Sequence, residues 1–510
     1  MSILKAENYS GLDRWHAPSP WNRDRMERGG LRTLLVGGGA AARTVAKDLR
    51  RSPDYGLRLI GCLDDDPRLR LVSGIPLLGR LADLTGIVRE HDVEAIVIAI
   101  PSLPPGRLSE LVRQATNTGA HVRFLPSFLS ALERVAKAAD MRIVDYNSLL
   151  GRREHRGSPS AARAAFKGQR VLVTGAGGSI GQELCRQIRS CGPASLHMLD
   201  HDESNLHTLQ LELDGEALLD SPDVVIADIR DRARIAQVFH ATKPTVVLHA
   251  AAHKHLPLLE RHPCEGVKSN VQGTQNLVEA ALEVGASRFV LISTDKAADP
   301  KSILGATTRL AEMVLQAHAA RSTRMCSVRF GNVLGSRGSF LTAIADQLER
   351  GDAITVTHPE VTRFFMTVEE AVGLVLSATP MAEYGETFVL DMGEPVRIVD
   401  LVNRYADQLH VPEVQLRYTG LRPGEKLHES LFADSEERLP TVDAAIWATR
   451  PVRLPDDFTY RLEKLYSAAA DGEDDVVRTQ LQDLMPEYSP APTTAEELRS
   501  ALSTPYPDEF

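Results

Sequence analysis

A chain of 510 residues with 43% hydrophobic and 25% charged side chains is globular in composition and too long for one hydrophobic core, so two or more domains are expected. A net charge of −10 argues against sequence-independent nucleic-acid binding, which needs clustered Lys and Arg over phosphates, and leaves any anion site to local features. Five cysteines without a CxxC pair offer neither a disulfide framework nor a zinc site, and no window approaches the roughly 20 apolar residues of a membrane span. The polar opening, residues 1–30, lacks the apolar core of a signal peptide and is expected to be irregular. The expectation is a cytoplasmic protein with no nucleic-acid partner, no membrane span and no metal.

From Leu31 short β-branched runs alternate with amphipathic ones: "LRTLLVG", "LRLIGCLDD", "VEAIVIAIP" and "HVRFLPS" are candidate strands with helical patterns between them. That alternation predicts βαβ units and a parallel sheet over residues 31–150. Gly37, Gly39 and Ala42 fit G-x-G-x-x-A, and Asp64 closes the next strand 27 residues after Gly37. The loop reads either as a nucleotide site or as the same fold used for packing, assembly or regulation.

Residues 151–167, rich in Arg, Ser, Gly and Ala, read as a connector. The pattern restarts at 168 with "QRVLVTGAGGSIGQELCRQI", followed by "SLHMLD", "DVVIAD", "TVVLHAAA" and "RFVLIST", which places a second doubly wound unit in tandem with the first. Here Thr174, Gly175, Gly178 and Gly181 give T-G-x-x-G-x-x-G between a strand and a helix, and Asp200 ends the following strand. Glycines at these positions permit a tight turn, close approach of backbone N–H groups to a pyrophosphate, and close helix–sheet packing. Asp200 would accept hydrogen bonds from the adenosine ribose and repel a 2′-phosphate, which favours NAD over NADP. A solvent-facing strand-end Asp is the plain alternative.

The motifs "VTGAGGSIG", "HAAAHKHLPLLE", "STDKA", "VRFGNVLGSRGS", "HPEVTRFFMT", "VLDMGEPVRIVDL" and "LRPGEKLHE" occur in this order. With them the chain, from Leu31 to about Ala448, resembles the nucleotide-sugar 4,6-dehydratases of the polysaccharide-biosynthesis (CapD-like) family, within the extended short-chain dehydrogenase/reductase superfamily. The resemblance implies an α/β protein: two tandem Rossmann-like doubly wound sheets with a smaller C-terminal lobe, NAD and a nucleotide sugar both being held within residues 168–450. UDP-N-acetylglucosamine is the expected substrate. Larger relatives carry transmembrane helices ahead of the first unit; a short polar segment stands there in this sequence. Further implied cofactor contacts are Ser179, Ile180, Asp228, Ile229, Ala250, Ala251, Ala252, Lys254 and Thr308. On the sugar-nucleotide side stand Asn332 and Arg337 in "GNVLGSRG", Arg363 before "FFM", and Arg422, Glu425 and Lys426 in "LRPGEK". Arg and Lys around a Pro-Gly turn suit bidentate and point-charge contacts with a pyrophosphate, although any one of these cations could equally be a solvated surface group.

Such a dehydratase needs a group to take the C4 hydroxyl proton, and an acid and a base near C6 and C5. Adjacent Asp295 and Lys296 follow the strand "RFVLIS", at the carboxyl end where open α/β sheets bind their ligands. The resemblance assigns Asp295 as acid and Lys296 as base, with Thr294 orienting them. Those roles call for a raised Asp and a lowered Lys, whereas a plain ion pair would shift each the other way. Eight positions beyond Lys296, the Tyr of Y-x-x-x-K is Leu304, and its Lys is Thr308, on a helix expected to begin near Pro300. Leu cannot exchange a proton, and Thr brings no charge. Arg309, about 100° around the helix, is poorly placed to substitute; Lys254 and Lys301 are further cations that could reach in. Three readings stay open: an NAD-dependent 4,6-dehydratase, an epimerase acting on an unusual nucleotide sugar, and a catalytically silent NAD- or nucleotide-sugar-binding regulator. Residues 451–510 read as a helical appendage with a tail; the resemblance implies a homo-oligomer, for which the apolar face of "TQNLVEAALEVG" could serve as interface, although such a face is equally needed inside a monomer.

Overall fold

The computed structural model describes residues 30–51, 57–124 apart from 67, 101, 102 and 104, 149–319 apart from 151, 153, 156, 215 and 216, 322–341 apart from 335 and 337–339, then 343, 344, 347, 352–409 and 414–488. The chain divides into two compact units, Met1–Val144 with Ala406–Pro412, and Asp145–Tyr405 with Glu413–Phe510.

The first unit runs β1 (Leu31–Val36), α1 (Ala40–Arg51), β2 (Leu57–Leu63), β3 (Leu71–Val72), β4 (Ile75–Gly79), α2 (Leu84–Glu90), β5 (Ala95–Ile98), α3 (Pro105–Thr116) and β6 (His121–Phe124). Leu34, Leu35 and Val36, like Ile96, Val97 and Ile98, are wholly buried, so these central strands are apolar on both faces, as a sheet covered on both sides requires. The sheet order is β3-β4-β2-β1-β5-β6. The β3–β4 hairpin was not anticipated from the sequence. Its turn is Ser73 and Gly74, at φ 51 and 78, the left-handed pair that a two-residue hairpin demands.

The second unit begins with α4 (Pro159–Phe166), inside the segment read as a connector. Ser158 caps it, accepting a hydrogen bond from the Ala161 N–H, and Phe166 is completely buried. Then follow β7 (Arg170–Thr174), α5 (Ser179–Ser190), β8 (Ser195–Asp200), α6 (Glu203–Asp214), β9 (Val224–Ile226), α7 (Arg232–Thr242), β10 (Val246–His249), α8 (Leu256–Arg261), α9 (Pro263–Gly266), a π-helical stretch (Val267–Gln272), α10 (Gly273–Glu283), β11 (Arg288–Thr294), α11 (Ile303–His318) and β12 (Arg324–Phe330). Short strands β13 (Asn332–Leu334), β14 (Ile354–Val356), β15 (Thr362–Arg363) and β16 (Phe365–Thr367) precede α12 (Val368–Ala378) and β17 (Tyr384–Leu390). The remaining elements are β18 (Val396–Arg397), α13 (Ile398–Leu409), β19 (Leu416–Tyr418), β20 (Leu439–Pro440), β21 (Ile446–Thr449), α14 (Phe458–Asp471) and α15 (Asp474–Leu484).

Among the described residues the main sheet is ordered β20-β21-β17-β12-β11-β10-β7-β8-β9, parallel from β17 to β9. Strand order reverses between β7 and β10, which opens a crevice at their carboxyl ends. The C-terminal pair α14 and α15 is integral to this unit. Phe458, Leu462, Leu465, Val477 and Leu481 share one core with Val267, Leu304 and Leu310. No helix among the described residues is long and apolar enough to cross a membrane.

Candidate active site

Four residues, Gly175 to Gly178, turn the chain from β7 into α5. Gly175 sits at φ 66, and a Cβ there would meet the Ala250 carbonyl carbon and Ala251 Cα at 2.7 Å. A Cβ on Gly181 would press on the Gly175 carbonyl oxygen and approach Ala176 Cα to 2.7 Å. Backbone cannot give way as a side-chain tip can, so both positions need glycine, and the resulting cradle of N–H groups at a helix N-terminus fits a pyrophosphate. Asp200 is buried at the tip of β8. Its Oδ2 accepts from the Gly177 N–H (2.8 Å) and its Oδ1 from the Asp202 N–H (3.0 Å). The acid therefore shapes the loop, with both of its oxygens engaged by the protein. Below lies a buried chain: Thr174 Oγ1 to His249 Nδ1 at 2.7 Å, and His249 Nε2 to Thr274 Oγ1 at 3.0 Å. Burial pushes His249 down to about 3, which keeps the ring neutral.

The other expected cofactor contacts divide. Gly178 caps α5; Ser179 and Ile180 are half-buried in its first turn, and Ala250 and Ala251 line the β10 end, with Ala252 and Lys254 exposed beyond. Asp228 is gripped by Arg230, whose side-chain hydrogen bonds hold the carboxyl below its ordinary range. Ile229 is a core residue packed over Gly273, so only its backbone can face a ligand.

At the end of β11 the chain makes a single 3-10 turn, Asp295–Ala297. Thr294 Oγ1 donates to Asp295 Oδ1 (2.9 Å), and Lys296 Nζ donates to the same oxygen (2.9 Å). Asp295 is completely buried, and its other oxygen, Oδ2, has no partner among the described residues. Gly331 packs directly against that oxygen: a Cβ there would come within 2.8 Å of Oδ2 and 3.0 Å of the Phe364 carbonyl oxygen, so only glycine fits. Gly305 does the same behind the turn: its bare Cα lets the first turn of α11 sit directly on the Lys296 carbonyl. Ser293, just before the pair, donates to Glu312 of α11 (2.6 Å), and Glu312 is bound by Arg329 and Arg309. Burial would raise Glu312, but the two guanidiniums hold it down to about 2. This buried charge network fixes the strand end against the helix.

Glu429, in "LRPGEKLHE", was missed by sequence reasoning. It is buried, with Oε1 3.6 Å from Lys296 Nζ and 3.7 Å from Arg363 Nε, while Oε2 has no partner among the described residues. Burial alone would depress Lys296, yet Asp295 and Glu429 outweigh it and hold the ammonium above its ordinary value. The expected lowering of the Lys is thus reversed, because two carboxylates face one amine. Lys426 behaves oppositely: burial pulls it down, its Nζ donating to the Ala298 carbonyl (2.8 Å).

Arg363 is committed internally, to Glu425 (2.8 Å) and to the Thr362 and Leu427 carbonyls, and does not stand open as a cation. Glu425 also accepts from Thr357 Oγ1 and the Arg422 N–H. Arg422 is exposed, Asn332 is half-buried on β13, and Arg337 lies outside the described residues. The Gly424 turn, at φ 76, packs on Ser302, which precedes α11, and on Glu260 of α8, whose Oε1 accepts from the Ile303 N–H. That helix begins at Ile303 rather than near Pro300. Ser302 is the cap, accepting from the Gly305 N–H, and Asp299 takes the left-handed conformation just before it. Leu304 is buried among the α14–α15 side chains, and Thr308 Oγ1 donates to the Leu304 carbonyl (2.9 Å) of its own helix. Arg309 turns into the Glu312–Glu436 network, away from Thr308.

Residues 171–450 match the sequence profile of a family described as polysaccharide biosynthesis protein. The chain belongs to this family. Its N-terminal unit matches, over residues 19–126, a profile described as a CoA-binding domain. Over 414 residues the family member is 40% identical to the probable polysaccharide biosynthesis protein EpsC of Bacillus subtilis, covering 79% of this chain and 69% of that one. It is 30% identical over 280 residues to a UDP-N-acetylglucosamine 4,6-dehydratase (inverting) of Campylobacter jejuni, covering 54% of this chain and 80% of that one. Among solved structures it resembles Pen from Bacillus thuringiensis, with a TM-score of 0.51 and 31% identity over 56% of this chain and 89% of that one. Dehydratases and epimerases of nucleotide sugars are both among the relatives, and a nucleotide-sugar-modifying enzyme is the reading they support.

Proposed function

We propose that the protein is an NAD-dependent 4,6-dehydratase of a nucleotide sugar, with UDP-N-acetylglucosamine as substrate. The observation that carries this reading is Asp295: one carboxylate oxygen anchored by two donors, the other buried against Gly331 and without a partner among the described residues. A carboxyl held in this way presents one oxygen for proton exchange with a hydroxyl brought into the crevice. The Gly175–Gly181 cradle and Asp200 would hold NAD, which when bound would take a hydride from C4 and return it at C6. The sugar then undergoes no net redox change and loses one water.

In this scheme Asp295 takes the C4 hydroxyl proton and later gives it to the departing C6 hydroxyl, which removes the need for a phenol at position 304. Lys296 exchanges the C5 proton, made acidic by the C4 ketone. Arg422 and Lys426 face the diphosphate, whereas Arg363 positions Glu425 and the loop. Incubating the purified protein with UDP-N-acetylglucosamine and NAD should yield a nucleotide sugar lighter by one water, read by mass spectrometry. An unchanged mass with altered sugar stereochemistry would replace this reading with epimerisation, and no change at all would remove it.

A further inference from the structure

Resting on that reading, we propose that Glu429 is the third proton carrier of the reaction, the acceptor that takes a proton from Lys296 so that the amine can serve as the C5 base. The proton balance requires one. Asp295 and Lys296 form an ion pair, so the amine starts charged. Once Asp295 has taken the C4 hydroxyl proton it is neutral, and it cannot also relieve Lys296 of a proton. An ammonium cannot act as the C5 base.

Among the described residues the carboxylates paired with Lys296 are Asp295 and Glu429. At 3.6 Å, Glu429 Oε1 comes within hydrogen-bond reach of Nζ by a swing of roughly 0.4 Å. Oε1, the oxygen facing Nζ, receives the proton, and Oε2 makes no hydrogen bond among the described residues that would hold the carboxyl in place. Transfer breaks an N–H bond of Lys296 and makes an O–H bond on Glu429, leaving neutral amine and neutral acid. Lys296 then takes the C5 proton; the C5–H electron pair forms the C5–C6 double bond, and the C6–O bond breaks. The C6 hydroxyl departs as water with the proton from Asp295. When C6 has regained its hydride, Lys296 returns a proton to C5 and recovers one from Glu429. All three side chains end as they began, and the hexose has lost one water.

The test is Glu429→Gln, in which C4 oxidation and C5 exchange are followed separately on the full-length protein. Reduced-nicotinamide absorbance after mixing with UDP-N-acetylglucosamine reports the first, and deuterium uptake at C5 from heavy water the second. A relay role predicts that absorbance still develops within about threefold of wild type, while C5 exchange and water loss fall by about 100-fold or more. A purely electrostatic role predicts the reverse. Removing a carboxylate lowers the Lys296 pKa and provides more neutral amine, so exchange at unchanged or higher rate would overturn the proposal, as would equal loss of both steps in a folded variant. If Glu429→Gln does not fold, Glu429→Asp, which sets the carboxyl back by one methylene, is expected to slow exchange by about tenfold with oxidation intact; unchanged exchange overturns the relay. A wild-type protein that releases no water sinks the dehydratase reading itself, an outcome separate from a wild type that reacts and a Gln variant that reacts equally well.

Discussion

After β1 three residues, Gly37 to Gly39, lead into the helix; after β7 there are four, Gly175 to Gly178. Each loop is tied to the acid at the end of the next strand: the Gly38 N–H to Asp64 Oδ2 at 2.5 Å, the Gly177 N–H to Asp200 Oδ2 at 2.8 Å. A strand-end Asp thus has a structural task in both units, and its presence alone does not identify a ribose site. What differs is clearance. The third small position is Ala42 in the first loop, its methyl accommodated, and Gly181 in the second, where a methyl would strike backbone. Beneath the loops, the paired residues Val36 and Ile98 are apolar in the first unit, while Thr174 and His249 are hydrogen-bonded in the second.

The comparison is most severely tested by exchanging the small residues. Gly181→Ala should abolish measurable NAD binding by titration, whereas Ala42→Gly should leave NAD affinity unchanged and cost about 1 kcal/mol of stability, the usual helix penalty for glycine. Next in size, Asp295→Asn should lower water loss from the nucleotide sugar by about 10²- to 10⁴-fold while NAD affinity stays within about twofold, because chemistry and cofactor grip reside at different strand ends. Equal loss of both would show that the Asp295 turn supports the cofactor cradle.

A smaller effect separates the two acids. Asp200→Ala should weaken NAD binding by about 10- to 100-fold, the range for losing hydrogen bonds to a charged group, and Asp64→Ala should not alter it. The smallest concerns pH. His249 has a folded pKa of about 3 against 6.5 for the free side chain, so its neutral burial costs nothing above pH 6.5 and progressively destabilises the fold as pH drops below it. At about pH 5 the loss is about 2 kcal/mol. Thr174→Val with His249→Ile, copying the apolar pair of the first unit, should remove that share of the acid sensitivity in thermal melts; an unchanged pH slope would assign it to other groups.

Much of this arrangement was legible in the sequence because it rests on local rules. Apolar runs of strand length, glycines at a strand-to-helix turn and an Asp-Lys pair at a strand end are written in consecutive residues. The α/β class follows from their alternation, and the family from the order of the motifs. What escaped depends on partners far apart in the chain. Glu429 meets Lys296 across 133 positions, and Arg329 meets Glu312 and Glu436 only because β12, α11 and the C-terminal lobe converge. Nothing near Arg363 in the chain indicates that Glu425 and the Leu427 carbonyl, more than 60 positions away, occupy its guanidinium. The start of α11 lies three residues beyond Pro300, which resembles a first-turn proline, because Ser302 with the Gly305 N–H is the cap. Ile229 follows a strand in a loop-like stretch, and nothing local reveals that Gly273 opens a hole for it.

The central claim, that one carboxyl–amine pair beside the NAD cradle drives an internally redox-neutral dehydration, is tested most directly by UDP-N-acetylglucosamine deuterated at C4. The account predicts a product lighter by one water with the deuterium in its C6 methyl group by NMR. Deuterium retained at C4, or lost to solvent, would contradict it.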